Sequence, residues 1–178
     1  MLVDAAKKDV EHFGKLYDKY FNAIFQYVFR RTEDEDATAD ITSQTFLKAL
    51  QNLKKYEYRG LPFSAWLFRI ATNEINRYFR KTKKTSLFSI EESRIRDLVA
   101  ETGDDHIDDK VRSLINVLKE APTQLVEILE LRFFEERGFQ EISYILNISE
   151  SAAKMRTYRA LDKLREIMVI KLRDNEQA

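Results

Sequence analysis

The chain has 178 residues, 44% of them hydrophobic and 34% charged, with 30 Lys and Arg balancing 30 Asp and Glu. That length suits one ordinary domain or two small ones, the apolar content excludes wholesale disorder, and the charge excludes a membrane bundle. Cysteine is absent, and two His and four Gly leave no disulfide scaffold, thiolate nucleophile, cysteine-ligated zinc or glycine-rich phosphate loop.

From about Asp4 to Phe29 the spacing of Val10, Phe13, Tyr17, Tyr20, Ile24 and Val28 predicts one helix, ending near Arg30 and Arg31. An acidic turn, Thr32 to Asp36, leads into a second helix over about Glu35 to Asn52, whose acidic start suits the helix dipole. Ile41, Phe46, Leu47 and Leu50 are its expected packing face; Asp40, Thr42, Ser43, Gln44 and Lys48 are left on the other side. Lys54 to Pro62 then breaks periodicity, with Gly60 for the turn and Pro62 expected in the first turn of the following helix. Its interleaved Lys54, Tyr56, Tyr58 and Arg59 have the composition that stacks unpaired bases and holds phosphates, and equally that of a solvated connector.

A third helix, Phe63 to Lys81, carries Phe63, Trp66, Leu67, Ile70, Ala71 and Ile75 as its apolar stripe and Arg69, Asn73, Asn76, Arg77 and Arg80 as its polar side. Trp66 lies on the apolar stripe, which favours packing over base contact. Thr82 to about Asp108 has no sustained apolar face and is acidic after Lys84, with Glu91, Glu92, Asp97, Glu101, Asp104, Asp105 and Asp108; it is the expected boundary. The zero net charge therefore hides a basic stretch and an acidic one, and a partner meets the local field, not the total. Beyond it, Val111, Leu114, Ile115, Val117 and Leu118 mark a helix ended by Ala121 and Pro122, and Thr123 is expected to cap another with Leu125, Ile128, Leu129 and Phe133 inward.

Arg137 to Arg165 then reads as helix, tight turn, helix. Gly138 is the expected break, Gln140 to Leu146 a short helix with Ile142, Ile145 and Leu146 apolar, Asn147 to Ser149 the turn, and Ser149 an N-cap. At about 100° per residue, Ala153, Thr157, Ala160, Leu161 and Leu164 fall on one face of the last helix. Lys154, Met155, Tyr158, Arg159 and Asp162 fall opposite. A charged hairpin fits these residues; so does a DNA-reading helix-turn-helix, in which the start of the second helix meets base edges and flanking cations meet phosphates.

Taken together, the two patterns resemble a bacterial RNA polymerase sigma factor of the extracytoplasmic-function (ECF) group. Phe63, Ala65, Trp66, Leu67, Ile70, Ala71, Asn73 and Arg80 fit that group's promoter-melting segment. Leu129, Arg132, Glu141, Ile142, Ile148, Ser149, Lys154, Arg156, Arg159, Ala160, Leu164 and Arg165 fit its minus-thirty-five module. Two departures stand out. The run Ala37 to Gln44 keeps Asp40 and Thr42 but has Ser43 where Gln is usual, and Ser151, Ala152 and Ala153 replace Gly-Thr-Val at the start of the recognition helix.

The resemblance implies an all-α fold of two small helical domains, 1–84 and 109–178, joined by a flexible acidic linker, 85–108, the second domain containing the helix-turn-helix. It implies a non-catalytic promoter-specificity subunit whose partners are core RNA polymerase, through its beta and beta-prime subunits, promoter DNA and an anti-sigma factor. By the same resemblance Lys54, Tyr56, Tyr58, Arg59, Arg69, Asn73, Asn76, Arg77 and Arg80 would serve the minus-ten element. Ser151, Lys154, Met155, Arg156, Tyr158, Arg159 and Lys163 would serve the minus-thirty-five element, and Asp40, Thr42, Ser43, Gln44 and Lys48 would dock on polymerase. The alternative is a stand-alone helix-turn-helix regulator that binds an operator as a dimer. No apolar run approaches the roughly 20 residues that span a bilayer, and MLVDAAKKDVEHF lacks a signal peptide's apolar core, so a cytoplasmic protein without membrane insertion is expected. His12 and His106 read as surface residues, and no cofactor, metal site or enzyme activity is expected.

Overall fold

A computed structural model describes residues 2–82 and 122–175, with side chains in the last helix as far as Arg165. The predicted linker 85–108, the helix marked by Val111 to Leu118, and Lys83 and Lys84 lie outside the described residues. The described residues form helices and loops with no strand, and the chain divides into two compact units. Among the described residues no helix is long and apolar enough to cross a membrane.

The N-terminal unit begins with α1, Leu2–Lys8, and a 3-10 turn, Val10–His12, before α2, Phe13–Thr32. The single helix expected from Asp4 to Phe29 is thus broken at Asp9. The Asp9 carboxylate accepts from the Glu11 amide at 3.0 Å, and a side chain that competes for backbone amides in this way interrupts a helix. The break turns Val10 outward, 60% exposed rather than in the core. At its other end α2 runs on to Thr32, and Glu33 takes a left-handed conformation (φ 48°). Asp34 then caps α3, Glu35–Asn52, accepting from the Ala37 amide at 3.0 Å, with Glu35 and Asp36 at the positive end of the helix dipole.

The inner face of α3 is Thr38, Ile41, Thr42, Thr45, Phe46 and Ala49. Two expectations fail here: Thr42 is buried, not on the exposed side, while Leu47 is 45% exposed rather than packed. The reason is chemical. Thr38 and Thr45 bury their hydroxyls by donating to the carbonyls of Asp34 (2.7 Å) and Ile41 (2.8 Å), so polar residues occupy a stripe that hydropathy assigns to Leu. A 3-10 turn, Leu53–Lys55, and a loop containing left-handed Gly60 (φ 77°) lead to α4, Phe63–Thr82. Pro62 stands just before that helix, its carbonyl accepting from the Ala65 amide at 3.0 Å. Helices α2, α3 and α4 pack on one another around Leu16, Ile24, Tyr27, Val28, Ile41, Leu67, Phe68 and Ile75.

In the C-terminal unit α5, Thr123–Leu129, continues into a π turn, Glu130–Phe134. Thr123 is the first helical residue, with Pro122 before it and no side-chain cap. The wide turn closes through the Glu135 amide to the Glu130 carbonyl at 3.0 Å, one residue farther than an α bond. That shift moves the buried stripe: Leu131 and Phe134 are inside and Phe133, expected inside, is 37% exposed. The chain reverses at Glu136 (φ 52°), two residues before the expected break at Gly138. Then come α6, Phe139–Leu146, and α7, Glu150–Asn175.

Candidate nucleic-acid interface

The turn between α6 and α7 is built by two residues. Asn147, one of the few types that tolerate a left-handed backbone, does so at φ 55°. Ser149 Oγ accepts from the Ala152 amide at 3.1 Å, so this polar side chain starts α7 where it was expected to, at a typical worth of about 1 kcal/mol. Ala153, Thr157, Ala160 and Leu164 are buried, and the Thr157 hydroxyl is satisfied by the Ala153 carbonyl at 2.9 Å. The opposite face presents Ser151, Lys154, Met155, Arg156, Tyr158, Arg159 and Lys163, all exposed, with Met155 at 53% and Tyr158 at 60%.

Lys154 is not idle on that face: it pairs with Glu150 at 2.9 Å and lies 5.9 Å from the centre of the Phe139 ring. Arg132 sits on the same ring at 4.8 Å and donates to the Arg137 carbonyl at 3.0 Å. The Arg132–Phe139–Lys154 group is invisible to a helical period, because its members lie on three successive elements and meet only when these fold together.

In the N-terminal unit a groove of about 390 Å³ is lined by Lys48, Asn52, Lys55, Tyr56, Trp66, Ile70, Asn73 and Glu74. The Tyr56 ring meets Phe63 edge-on at 5.2 Å and Trp66 at 4.9 Å, and burial pushes its phenol above the usual tyrosine range. Glu74 is largely buried beside two cations, an ion pair with Lys48 and Arg77 at 3.7 Å. An aromatic wall, an apolar floor and both donors and acceptors on the rim suit a single unpaired base, with its π-faces and polar edges.

Of the residues expected at the minus-ten element, Tyr56 and Asn73 line this groove. Tyr58 (75% exposed) and Arg59, paired with Glu57 at 3.4 Å, project from the adjoining loop, where Lys54 is also exposed. Asn76, Arg77 and Arg80 are exposed on α4, and Arg69 is half-buried. Arg77 lines a second groove of about 430 Å³ with Asp40, Ile41, Gln44 and Glu74. Of the residues expected to dock on polymerase, Asp40, Ser43 and Gln44 are exposed together on α3, Thr42 is in the core, and Lys48 belongs to the Tyr56 groove.

Residues 16–85 match the Sigma-70 region 2 family and residues 118–166 the Sigma-70, region 4 family. The chain is 29% identical over 174 residues to the ECF RNA polymerase sigma factor BldN of Streptomyces coelicolor, covering 94% of this chain and 64% of that one. It is 28% identical over 155 residues to the ECF RNA polymerase sigma factor SigM of Bacillus subtilis, covering 86% and 93%. In fold it is similar to CnrH, solved in complex with the cytosolic domain of CnrY, at 22% identity and a TM-score of 0.66 over 95% of this chain and 96% of that one. It is also similar in fold to the sigma factor RpoE of Bartonella quintana, solved with the anti-sigma factor NepR, at 20% identity and a TM-score of 0.63 over 89% and 97%. A region 2 match disfavours the operator-binding regulator, which has no use for that module. With both modules present in order, the chain belongs to the RNA polymerase sigma-70 family, in its ECF group.

Proposed function

We infer that this chain is a promoter-specificity subunit of RNA polymerase, acting in the cytoplasm without catalytic residues of its own. The observation that carries the reading is the presence in one chain of a region 2 module and a region 4 module, each with an exposed surface suited to DNA. The exposed side of α7 faces the minus-thirty-five duplex, with Lys154, Met155, Tyr158 and Arg159 toward base edges and Arg156 and Lys163 toward phosphates. The Tyr56 groove, with Tyr58 and Arg59 beside it, receives bases from the melted minus-ten element. Stacking at about 1 to 3 kcal/mol per base offsets the few kcal/mol that extrusion costs.

Asp40, Ser43 and Gln44 on α3 form the docking face for core polymerase, on its beta-prime side. The module boundaries fall near 84 and 108, and the acidic segment between them is the tether. An anti-sigma factor is the expected regulator: CnrH and RpoE, which share the fold, were each solved with such a partner or a cytosolic domain bound.

The test is transcription of a genomic DNA library by core enzyme with and without the purified chain. New start sites that share two spaced elements are expected; initiation unaltered by the chain sinks the reading. Asp40→Arg is expected to weaken co-purification with core enzyme while the free protein keeps its helix content, and normal co-purification would remove α3 from the docking face.

A further inference from the structure

Helix α1 lies outside residues 16–85, the part that matches region 2, yet it touches the 3-10 turn that feeds the base-reading loop. One side chain of α1 also bonds to the residue that follows this turn. Lys7 Nζ donates to the Tyr56 carbonyl, and the same ammonium stands 5.6 Å from the centre of the Tyr56 ring. Lys7 and Tyr56 are both half-buried, so water competes only partly for the bond.

Tyr56 is the residue at which the chain leaves the 3-10 turn for the loop (φ −64°, ψ 130°). Its amide is held by the Asn52 and Leu53 carbonyls, each at 3.1 Å. Its carbonyl comes just after the last helical turn, where backbone donors run out, and Lys7 supplies the donor. With both flanking peptide groups fixed, the direction in which Glu57, Tyr58 and Arg59 depart is set, and the ring stays against Trp66 as the wall of the groove.

We propose that Lys7 is a positioning residue for promoter melting: it clamps the Tyr56 carbonyl and so holds the aromatic wall and the adjoining loop ready for an extruded base. The proposal rests on the minus-ten role of the Tyr56 groove given above. Lys7 acts through Tyr56: its ammonium is directed at the carbonyl and ring of that residue. Its contribution is order in a loop that would otherwise have to be fixed at the moment of binding.

The experiment uses holoenzyme assembled from core polymerase and the full chain, with a fluorescein-labelled non-template strand from a start site mapped with that holoenzyme. Lys7→Met keeps the apolar stem and removes the donor; Lys7→Arg keeps a donor. Lys7→Met should weaken strand binding roughly tenfold, the change expected from a net hydrogen bond to a charged group, and should lower discrimination against a strand with one minus-ten base replaced. Lys7→Arg should recover most of both, while binding to minus-thirty-five duplex and the unfolding temperature stay near wild type.

Equal strand affinity for Lys7→Met and wild type overturns the proposal, as does a loss that Lys7→Arg fails to recover and that follows a fall in unfolding temperature. Tyr58→Ala and Arg59→Ala separate the two levels. If they weaken strand binding and Lys7→Met does not, the Lys7 role alone falls; if they too leave it unchanged, the minus-ten role of the groove falls with it.

Discussion

Tyr27 Oη and Thr72 Oγ1 lie 2.9 Å apart in the core of the N-terminal unit, joining the middle of α2 to the middle of α4. Both residues are buried, and the Tyr27 ring packs on Phe68 at 4.9 Å. Tyr27→Phe keeps that packing and strands the Thr72 hydroxyl, at a cost of about 1 kcal/mol. Tyr27→Phe with Thr72→Val removes both polar atoms and should recover part of the loss. Urea unfolding of the two variants measures it, and equal losses would show that a stranded Thr72 hydroxyl carries no penalty of its own.

Thr42 gives the opposite expectation. Its hydroxyl is buried and has no hydrogen-bond partner among the described residues, whereas neighbouring Thr45 is satisfied by the Ile41 carbonyl. Thr42→Val fills the same space without an unsatisfied polar atom, so stability should be unchanged or rise by up to about 1 kcal/mol. Because the side chain is inside, association with core polymerase should not change. Thermal unfolding and a pull-down measure the two halves of this expectation separately.

On α7 the acid at the helix start opposes the cations that follow it. Arg159→Ala should weaken binding to a cognate upstream duplex by about 1 to 3 kcal/mol if the guanidinium reads a base. Unchanged affinity and salt dependence would remove Arg159 from the interface. Glu150→Gln releases Lys154 from its 2.9 Å pair and takes a carboxylate away from the approaching phosphates, so affinity should rise a few-fold at low salt and less at high salt. The helix itself should lose only a few tenths of a kcal/mol, the usual worth of an acid at this end.

Tyr56 predicts an alkaline effect. Burial raises its phenol above the ordinary value of about 10, so the folded state holds the phenolic proton more tightly than the unfolded chain. The stability this gives is complete below the ordinary tyrosine value and is lost as pH rises through the raised one. Tyr56→Phe should therefore flatten the decline of stability in the alkaline range, read as denaturation midpoints across that range. An unaltered slope would place the ring in water rather than against Trp66.

Where local chemistry and tertiary packing agree, the sequence carried the structure well. Glu35 and Asp36 mark the start of α3, Glu35–Asn52, and Ala153, Thr157, Ala160 and Leu164 at helical spacing mark the inner face of α7. The failures share a cause. Hydropathy on an unbroken 3.6-residue period misplaces Val10, Thr42, Leu47 and Phe133, and each lies beside something that period does not contain. Those are an aspartate that caps within a helix, threonines that satisfy themselves, and a π turn. Lys48 shows a different limit: its place on α3 follows from the helical period, but only the fold brings it against Glu74, 26 residues on.

The wide turn at Glu130–Phe134 also restricts what evolution or a protein engineer can do there. Deleting one residue would regularise the hydrogen-bond ladder, but each residue advances a helix by about 100°. Leu131 and Phe134 would swing out of the interior while Arg132 swung in. The spacing between α5 and the helices α6 and α7 is therefore set by residue count, and trimming at this point should unseat the C-terminal unit even though every remaining side chain is unaltered.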